Sequence, residues 1–265
     1  MVREFSTNTN LLAFNAEHID RDMDELIAVY ATHGIRYLDL NFCEMMRPVS
    51  RFNDERALSY INRLKELKAG HGLSYIQAHA PYPVMGTSPA SWEEKIIKAM
   101  NWAYELGCPH IVVHPQGCDI EENIRRYERL LNETDITIAI ENMENENEIS
   151  RSDEINEIIK SNPKRLKALF DTGHANIMGL DLDAEIKAYG SNLVGLHVHD
   201  NNGREDQHLF PFMGNIRWRD VIAALEAIGY DGYLTYEAMY FSRKFSIKRE
   251  DFVIAEALNS FRRLF

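Results

Sequence analysis

The residues with the strongest chemical character in this chain stand at the ends of apolar runs. Leu193-Val194-Gly195-Leu196 leads into His197, His199 and Asp200, with Asp206 and His208 in the loop that follows. Five other runs end the same way, in His79, His114, Glu141, Asp171 (with His174 just beyond) and Glu237. Imidazoles and carboxylates are metal ligands and proton carriers. A lone histidine at a strand end is more often a hydrogen-bonded core group. So many such groups around one opening would repel each other and resist desolvation. A bound cation relieves that cost, so a divalent metal site is expected.

The residues divide by chemistry. Glu141, Asp171, His197 and Glu237 make an oxygen-rich set, suited to Mn²⁺, Mg²⁺ or Co²⁺ and tolerable to Zn²⁺. His79 and His114, next to Glu141, either form a second, nitrogen-rich site or hydrogen-bond substrate hydroxyls. His174, Asp206 and His208 either make a third site or orient substrate and ligands. The candidate substrate-binding residues are His174, His79, His114, Arg204 and His199. Arg243, Lys244, Lys248 and Arg249 follow the last strand and, with Arg204, could hold a phosphate where barrels often bind one. Basic residues leading into a surface helix are the ordinary alternative. Tyr82, Tyr236, Tyr240, Phe42 and Trp92 either wall a pocket or pack the barrel.

Groups so far apart in sequence meet only if the fold gathers them. The chain reads as strand, loop and helix repeated about eight times, the pattern of parallel βαβ units. Strands are expected within 5–14 and at 35–42, 73–78, 110–113, 136–140, 166–170, 193–200 and 232–236. Helices are expected at 20–33, from a cap at Asn53 or Asp54 to about 68, at 92–106, 120–131, from a cap at Ser152 or Asp153 to 161, and at 182–189, 218–228 and 249–264. Alternation puts His197 and His199 on one side of their strand. A (β/α)₈ TIM barrel takes about 250 residues and turns every strand's C-terminal end towards one mouth. One α/β barrel domain over residues 1–265 is therefore expected. The acidic stretch 142–148 reads as solvated surface.

A formal charge of −12 sets the bulk electrostatics against polyanions, so nucleic acid is not an expected partner. Cys43, Cys108 and Cys118 form no C-x-x-C pair and read as reduced, small apolar fillers. The N-terminus has no apolar signal core, and no run approaches the ~20 apolar residues of a membrane span. A soluble cytoplasmic protein without a membrane partner is expected, a homo-oligomer being an allowed assembly. No GxGxxG or P-loop occurs, so no nucleotide cofactor is implied.

The ordered motifs His79-Ala80-Pro81-Tyr82, Val112-Val113-His114-Pro115, Ile140-Glu141-Asn142, Phe170-Asp171-Thr172-Gly173-His174-Ala175-Asn176, His197-Val198-His199-Asp200-Asn201, Asp206-Gln207-His208-Leu209 and 229–237 carry a resemblance. Together they resemble the xylose isomerase-like TIM barrel superfamily over essentially the whole chain. That grouping holds sugar and sugar-phosphate isomerases and epimerases, and endonuclease IV. In its epimerase branch the resemblance implies one divalent ion on Glu141, Asp171, His197 and Glu237. In its endonuclease branch, His79, His114, His174, Asp206 and His208 join them to hold three zinc ions.

Two departures and one likeness bear on the branch. Epimerase-like members usually follow Asp-x-His with Pro-Gly-x-Gly, whereas this chain has Pro211-Phe212-Met213-Gly214, which puts that loop's shape in question. The acidic charge fits the DNA-facing surface of the nuclease badly. The run 171–176 looks closer to the isomerase-like members.

For a sugar isomerase or epimerase, the resemblance implies that a metal holds the carbonyl and neighbouring hydroxyl oxygens and stabilises an enediolate. Glu141 and Glu237, three strands apart, would then remove and return the proton, or act as ligands alone. The expected partner is a small-molecule sugar or sugar phosphate. The alternatives are a multinuclear zinc phosphodiesterase of the endonuclease IV type and a non-catalytic sugar-binding relative.

Overall fold

The computed structural model describes residues 4–12, 22–82, 89–239, 241–245, 247 and 249–265. Eight parallel strands form the barrel wall: β1 (Phe5–Asn8), β2 (Tyr37–Asn41), β3 (Ser74–His79), β4 (His110–Val113), β5 (Thr137–Glu141), β6 (Leu166–Asp171), β7 (Leu193–His197) and β8 (Leu234–Tyr236). From β1 to β7 each strand pairs with the next in sequence, and β1 also pairs with β8. Between β7 and β8 the seam is closed by a parallel bridge of Val198 with Tyr236. There Val198 N–H donates to Thr235 O at 2.7 Å and Glu237 N–H to Val198 O at 3.2 Å. The expected (β/α)₈ TIM barrel is the observed fold.

Side-chain alternation explains why the chemistry collects at one end. Val112, Ala139 and Leu169 form a small apolar cluster of their own. Their neighbours Ile111, Val113, Ile138, Ile140, Ala168 and Phe170 belong to the large layer between strands and helices. The first set therefore faces the barrel interior. Two residues further along the same faces stand His114, Glu141 and Asp171. Register completes the ring, with Asn41 opposite His79 and Asp171 opposite His197.

The helices are α1 (Met23–Thr32), α2 (Ala57–His71), α3 (Pro89–Glu105), α4 (Ile120–Leu131), α5 (Ser152–Ser161), the short α6 (Thr172–Ile177), which stands at the mouth and carries His174, α7 (Leu182–Tyr189), α8 (Trp218–Ala227), α9 (Phe241–Lys244) and α10 (Glu250–Arg262). α4 shows the logic. Asp119 accepts the Glu122 N–H at 2.9 Å and caps the helix, while Tyr127, Leu130 and Leu131 are buried. Each such side chain gains about 1.5–3 kcal/mol from leaving water. Two caps differ from expectation. α2 begins at Ala57, because Asp54 instead accepts the Arg56 N–H at 2.8 Å in a turn ahead of it. α5 begins at Ser152 itself, since the Glu154 carboxylate reaches back to the N–H groups of Ser150 and Arg151, at 3.0 and 2.9 Å. The start expected for the first helix, at 20, lies outside the described residues, as do Tyr240 and Lys248.

Among the described residues no helix is long and apolar enough to cross a membrane. Cys43, Cys108 and Cys118 are free thiols.

Candidate active site

The strand ends meet around His197, which is fully buried. Its Nδ1 lies 2.7 Å from Glu141 Oε1, 3.2 Å from Glu237 Oε2 and 3.9 Å from Asp171 Oδ2. One ligand atom from each of Glu141, Asp171, His197 and Glu237 falls within 4.8 Å of the others. The four strands expected to supply the oxygen-rich set thus bring it together.

The nitrogen-rich pair lies alongside. Nε2 of His79 and Nε2 of His114 are 3.1 Å apart, and stand 3.2 and 3.0 Å from Glu141 Oε2. On the other flank, His174 Nδ1 lies 2.8 Å from Asn142 O, and His208 Nε2 lies 2.6 Å from Asp206 Oδ2. Further groups of donor atoms close enough to share an ion are His79 with Glu141 and His197, Asp171 with His174 and His199, and His199 with His208 and Glu237.

Local structure holds each group. Asp171 ends β6 and starts α6: its Oδ1 accepts the His174 N–H at 2.7 Å. Asn142 clamps the same residue, accepting the Asp171 N–H at 2.7 Å and donating to Asp171 O at 3.0 Å. His199 is fully buried, away from the cavity, and its Nε2 reaches both Asp171 oxygens, at 2.9 and 3.0 Å. A Cβ on Gly173 would sit 1.9 Å from the His199 ring, so glycine is what admits the imidazole there.

Asp200 pins the loop carrying Asp206 and His208. Its Oδ1 accepts N–H groups of Asn201 and Ile216, and its Oδ2 those of Phe212 and Trp218 Nε1. Phe212 keeps a glycine-like backbone, with φ 73°. Its ring packs 6.5 Å from that of Trp218, and the Arg263 guanidinium lies 4.3 Å from its centroid. The loop with the unusual Phe212 therefore keeps its turn, with side-chain contacts offsetting the strain.

Electrostatics follow from the crowding. Burial opposes ionisation of Glu141, but the imidazoles of His197 and His114 outweigh it and hold its carboxyl well below the usual range. Burial likewise opposes charge on His174 and His208. Asp171 and Glu141 nevertheless raise His174 to about 10, and Asp206 raises His208 to about 9. His197 also rises well above its ordinary value, against burial, because of Glu141 and Glu237. His114 falls, through burial. The carboxylates, with Cys43 beside His79, thus favour the protonated form of four imidazoles, His79, His174, His197 and His208, and a divalent cation is the other means of balancing them. The buried Asp206 Oδ1 has no hydrogen-bond partner, so acceptor capacity is left over beside the cluster. The donor set fits a hard or borderline divalent ion.

A cavity of about 660 Å³ opens over this cluster. His79, His114, Glu141, His174, Asp206, His208 and Glu237 line it, with Asn10, Asn41, Cys43 and Tyr82. Two expectations are corrected. Glu144, Asn145 and Glu148, read as plain solvated surface, line the cavity, and Glu144 Oε2 lies 3.4 Å from His174 Nε2. Cys43, read as filler, also lines it, with Sγ 3.5 Å from His79 Nδ1.

The basic residues are placed elsewhere. Arg204 is exposed and off the cavity wall, Lys244 is exposed, and exposed Arg249 pairs with Asp251 at 2.6 Å. Phe42, Trp92 and Tyr236 are buried in the core, leaving Tyr82 as the described aromatic wall.

Sequence reasoning missed Asp39 and Gln77. Asp39 Oδ2 lies 3.3 Å from His197 Nε2, and Gln77 Nε2 lies 3.1 Å from both. An acid in the middle of an otherwise apolar buried strand was the available signal. Asn8, on β1, was missed too; its Nδ2 donates to Glu237 Oε1 at 3.5 Å.

A family profile described as xylose isomerase-like TIM barrel matches residues 27–264. The chain belongs to that family. It is 30% identical over 203 residues to an uncharacterized protein of Methanocaldococcus jannaschii, MJ1311, covering 67% of this chain and 68% of the relative. Similar solved structures include a D-tagatose 3-epimerase-like protein, with TM-score 0.71 and 23% identity over 98% of this chain and 100% of the other. A D-psicose 3-epimerase from Clostridium cellulolyticum H10, with D-tagatose, has TM-score 0.74 and 17% identity over 99% and 98%.

Proposed function

We propose that this protein is a divalent-metal-dependent isomerase or epimerase of a sugar or sugar phosphate, with residues 1–265 acting as one catalytic domain. The observation that carries the reading is the buried Glu141, Asp171, His197 and Glu237 quartet, its ligand atoms within 4.8 Å of one another under an open cavity. The cavity falls in the range of small-molecule sites, about 300–1,000 Å³. Sugar-epimerase names among the similar structures point the same way.

Those four residues would hold the ion. When bound, it supplies polarisation of adjacent carbonyl and hydroxyl oxygens and so acidifies the C–H of the hydroxyl-bearing carbon beside the carbonyl. Glu141 and Glu237 come from strands three steps apart and both line the cavity. One carboxylate takes the proton beside the carbonyl; for epimerisation the other, starting as its carboxylic acid, delivers its own proton to the opposite face, while a single face serves isomerisation. Glu141 suits the proton-accepting role, because its neighbouring imidazoles keep it ionised. His79, His114 and His174 stand on the wall, where they bind substrate hydroxyls.

The extra donor groups around the quartet favour one second reading, a multinuclear zinc phosphodiesterase of the endonuclease IV type. The charge of −12 weighs against a DNA substrate. Elemental analysis of protein purified without chelator or metal resin, followed by a panel of ketoses, separates the two. About one manganese, magnesium, cobalt or zinc ion per chain with ketose turnover supports the first reading. About three zinc ions per chain with cleavage of abasic duplex DNA replaces it by the second.

A further inference from the structure

We propose that Asp39 is the positioning residue that fixes His197 as a metal ligand, an inference that rests on the metal reading above. Asp39 stands in the middle of β2 and is fully buried, although its neighbours Leu38 and Leu40 are core residues. A buried carboxylate is expensive unless it is fully hydrogen-bonded. Asp39 is not, since Oδ1 has no partner. Its other oxygen, Oδ2, has two neighbours, Gln77 Nε2 at 3.1 Å and His197 Nε2 at 3.3 Å. A group so poorly supported for stability stands where it acts on another group.

That action is on the imidazole. His197 turns Nδ1 to Glu141, Glu237 and Asp171, and Nε2 into the barrel. An imidazole binds a cation through a nitrogen that carries no proton, so the proton must rest on Nε2. Nε2–H then needs an acceptor. The Gln77 amide cannot serve: turning its oxygen towards His197 would bring that oxygen within about 3 Å of Asp39 Oδ2, acceptor against acceptor. Gln77 therefore donates to Asp39, and Asp39 Oδ2 accepts from both Gln77 and His197; the two nitrogens, 3.1 Å apart, are then both donors that share this one oxygen and make no hydrogen bond with each other.

The backbone builds this contact. The β2–β3 register slips between Leu38 and Asp39, so that Leu38 faces Tyr75 but Asp39 faces Gln77. Such irregularities re-aim side chains next to functional sites. Without the slip Asp39 would face Ile76, and Gln77 would not reach it.

The test uses the full chain stripped of metal, with Zn²⁺ and Mn²⁺ as the titrants in calorimetry. Asp39→Ala is expected to weaken binding by about 10–100-fold. Asp39→Asn keeps a neutral acceptor for Nε2–H and is expected to restore most of it, leaving a loss of about 3–10-fold. The thermal midpoint of Asp39→Asn, which keeps an acceptor, should stay closer to the parent's than that of Asp39→Ala, which leaves the Gln77 and His197 N–H donors without one. In the zinc-loaded parent, NMR should show a slowly exchanging His197 Nε2–H that exchanges rapidly in Asp39→Ala. Zinc affinity in a folded Asp39→Ala within twofold of the parent, or a protected Nε2–H retained there, overturns the role of Asp39 alone. A parent protein that takes up neither ion overturns the metal reading together with it. Should Asp39→Ala fail to fold, Asp39→Asn decides: a loss of affinity of about 3–10-fold supports the proposal, and an affinity within about twofold of the parent's overturns it.

Discussion

Asp200 offers a perturbation whose size can be worked out from geometry. Its carboxylate is fully buried and accepts four N–H groups, two on each oxygen: Asn201 at 2.9 Å and Ile216 at 3.2 Å, Phe212 at 3.0 Å and Trp218 Nε1 at 2.9 Å. In Asp200→Asn one oxygen becomes an NH₂ group. Whichever way the amide turns, two of the N–H donors lose their acceptor and face another donor. Hydrogen bonds to a charged group are worth about 1.5–3 kcal/mol each, so the loss is about 3–6 kcal/mol. At about 2–4 °C per kcal/mol for a domain near this size, the midpoint should fall by roughly 6–24 °C. The Cβ position of Gly214, 2.3 Å from Asp200 Oδ1, shows how tightly the loop is drawn in, which limits relaxation. Thermal and urea unfolding of the variant beside the parent reads the effect. A fall of less than about 3 °C would refute the view that Asp200 anchors the loop bearing Asp206 and His208.

Two further predictions concern other parts of the fold. Phe212 has a left-handed backbone, so Phe212→Ala keeps the strain and loses the ring contacts, whereas Phe212→Gly loses the contacts but relieves the strain. The glycine variant should therefore be the more stable of the two by about 1–2 kcal/mol in urea unfolding, and equal stability would contradict the strain. Glu44 is pushed up by burial to about 7, with Arg47 pulling the other way. Its folded value lies above its unfolded one, so its contribution is fully present below the unfolded value of 4.5 and is lost as pH rises through about 7. Glu44→Gln should remove that slope, gaining on the order of 2–3 kcal/mol over the parent between pH 5 and pH 8. Parallel pH profiles of the two proteins would disprove it.

The fold was legible because most strands are apolar runs ending in a polar residue, the polar β1 (Phe5–Asn8) being an exception, and period-2 alternation carries the interior face straight to the mouth. Glu141 and Asp171 follow Ala139 and Leu169 on the same faces. Asp39 was not legible in that way, because it sits inside its run and its partner Gln77 is reached through a register slip that no sequence pattern announces. The loop 142–148 misled for another reason. Its acidic composition resembles a solvated face, but Asn142 clasps Asp171, and Met143 N–H donates to Ile149 O at 3.0 Å, drawing the loop over the cavity. The caps of α2 and α5 shifted because nearby carboxylates, Asp54 and Glu154, found different backbone donors. Arg204, placed at the mouth by its loop, is turned to solvent there.

Solvent isotope exchange reads the proposed removal and delivery of protons beside a sugar carbonyl by Glu141 and Glu237. The parent and Glu141→Gln, each loaded with Mn²⁺, are incubated in D₂O with D-tagatose, D-psicose, D-fructose or L-ribulose, and the sugars are then examined by NMR. Deuterium should appear at a carbon next to the carbonyl in at least one of them with the parent, with exchange slowed by at least about 100-fold in the variant. A metal-loaded parent that exchanges no proton in any of these sugars while cleaving abasic duplex DNA would contradict the proposed proton transfer.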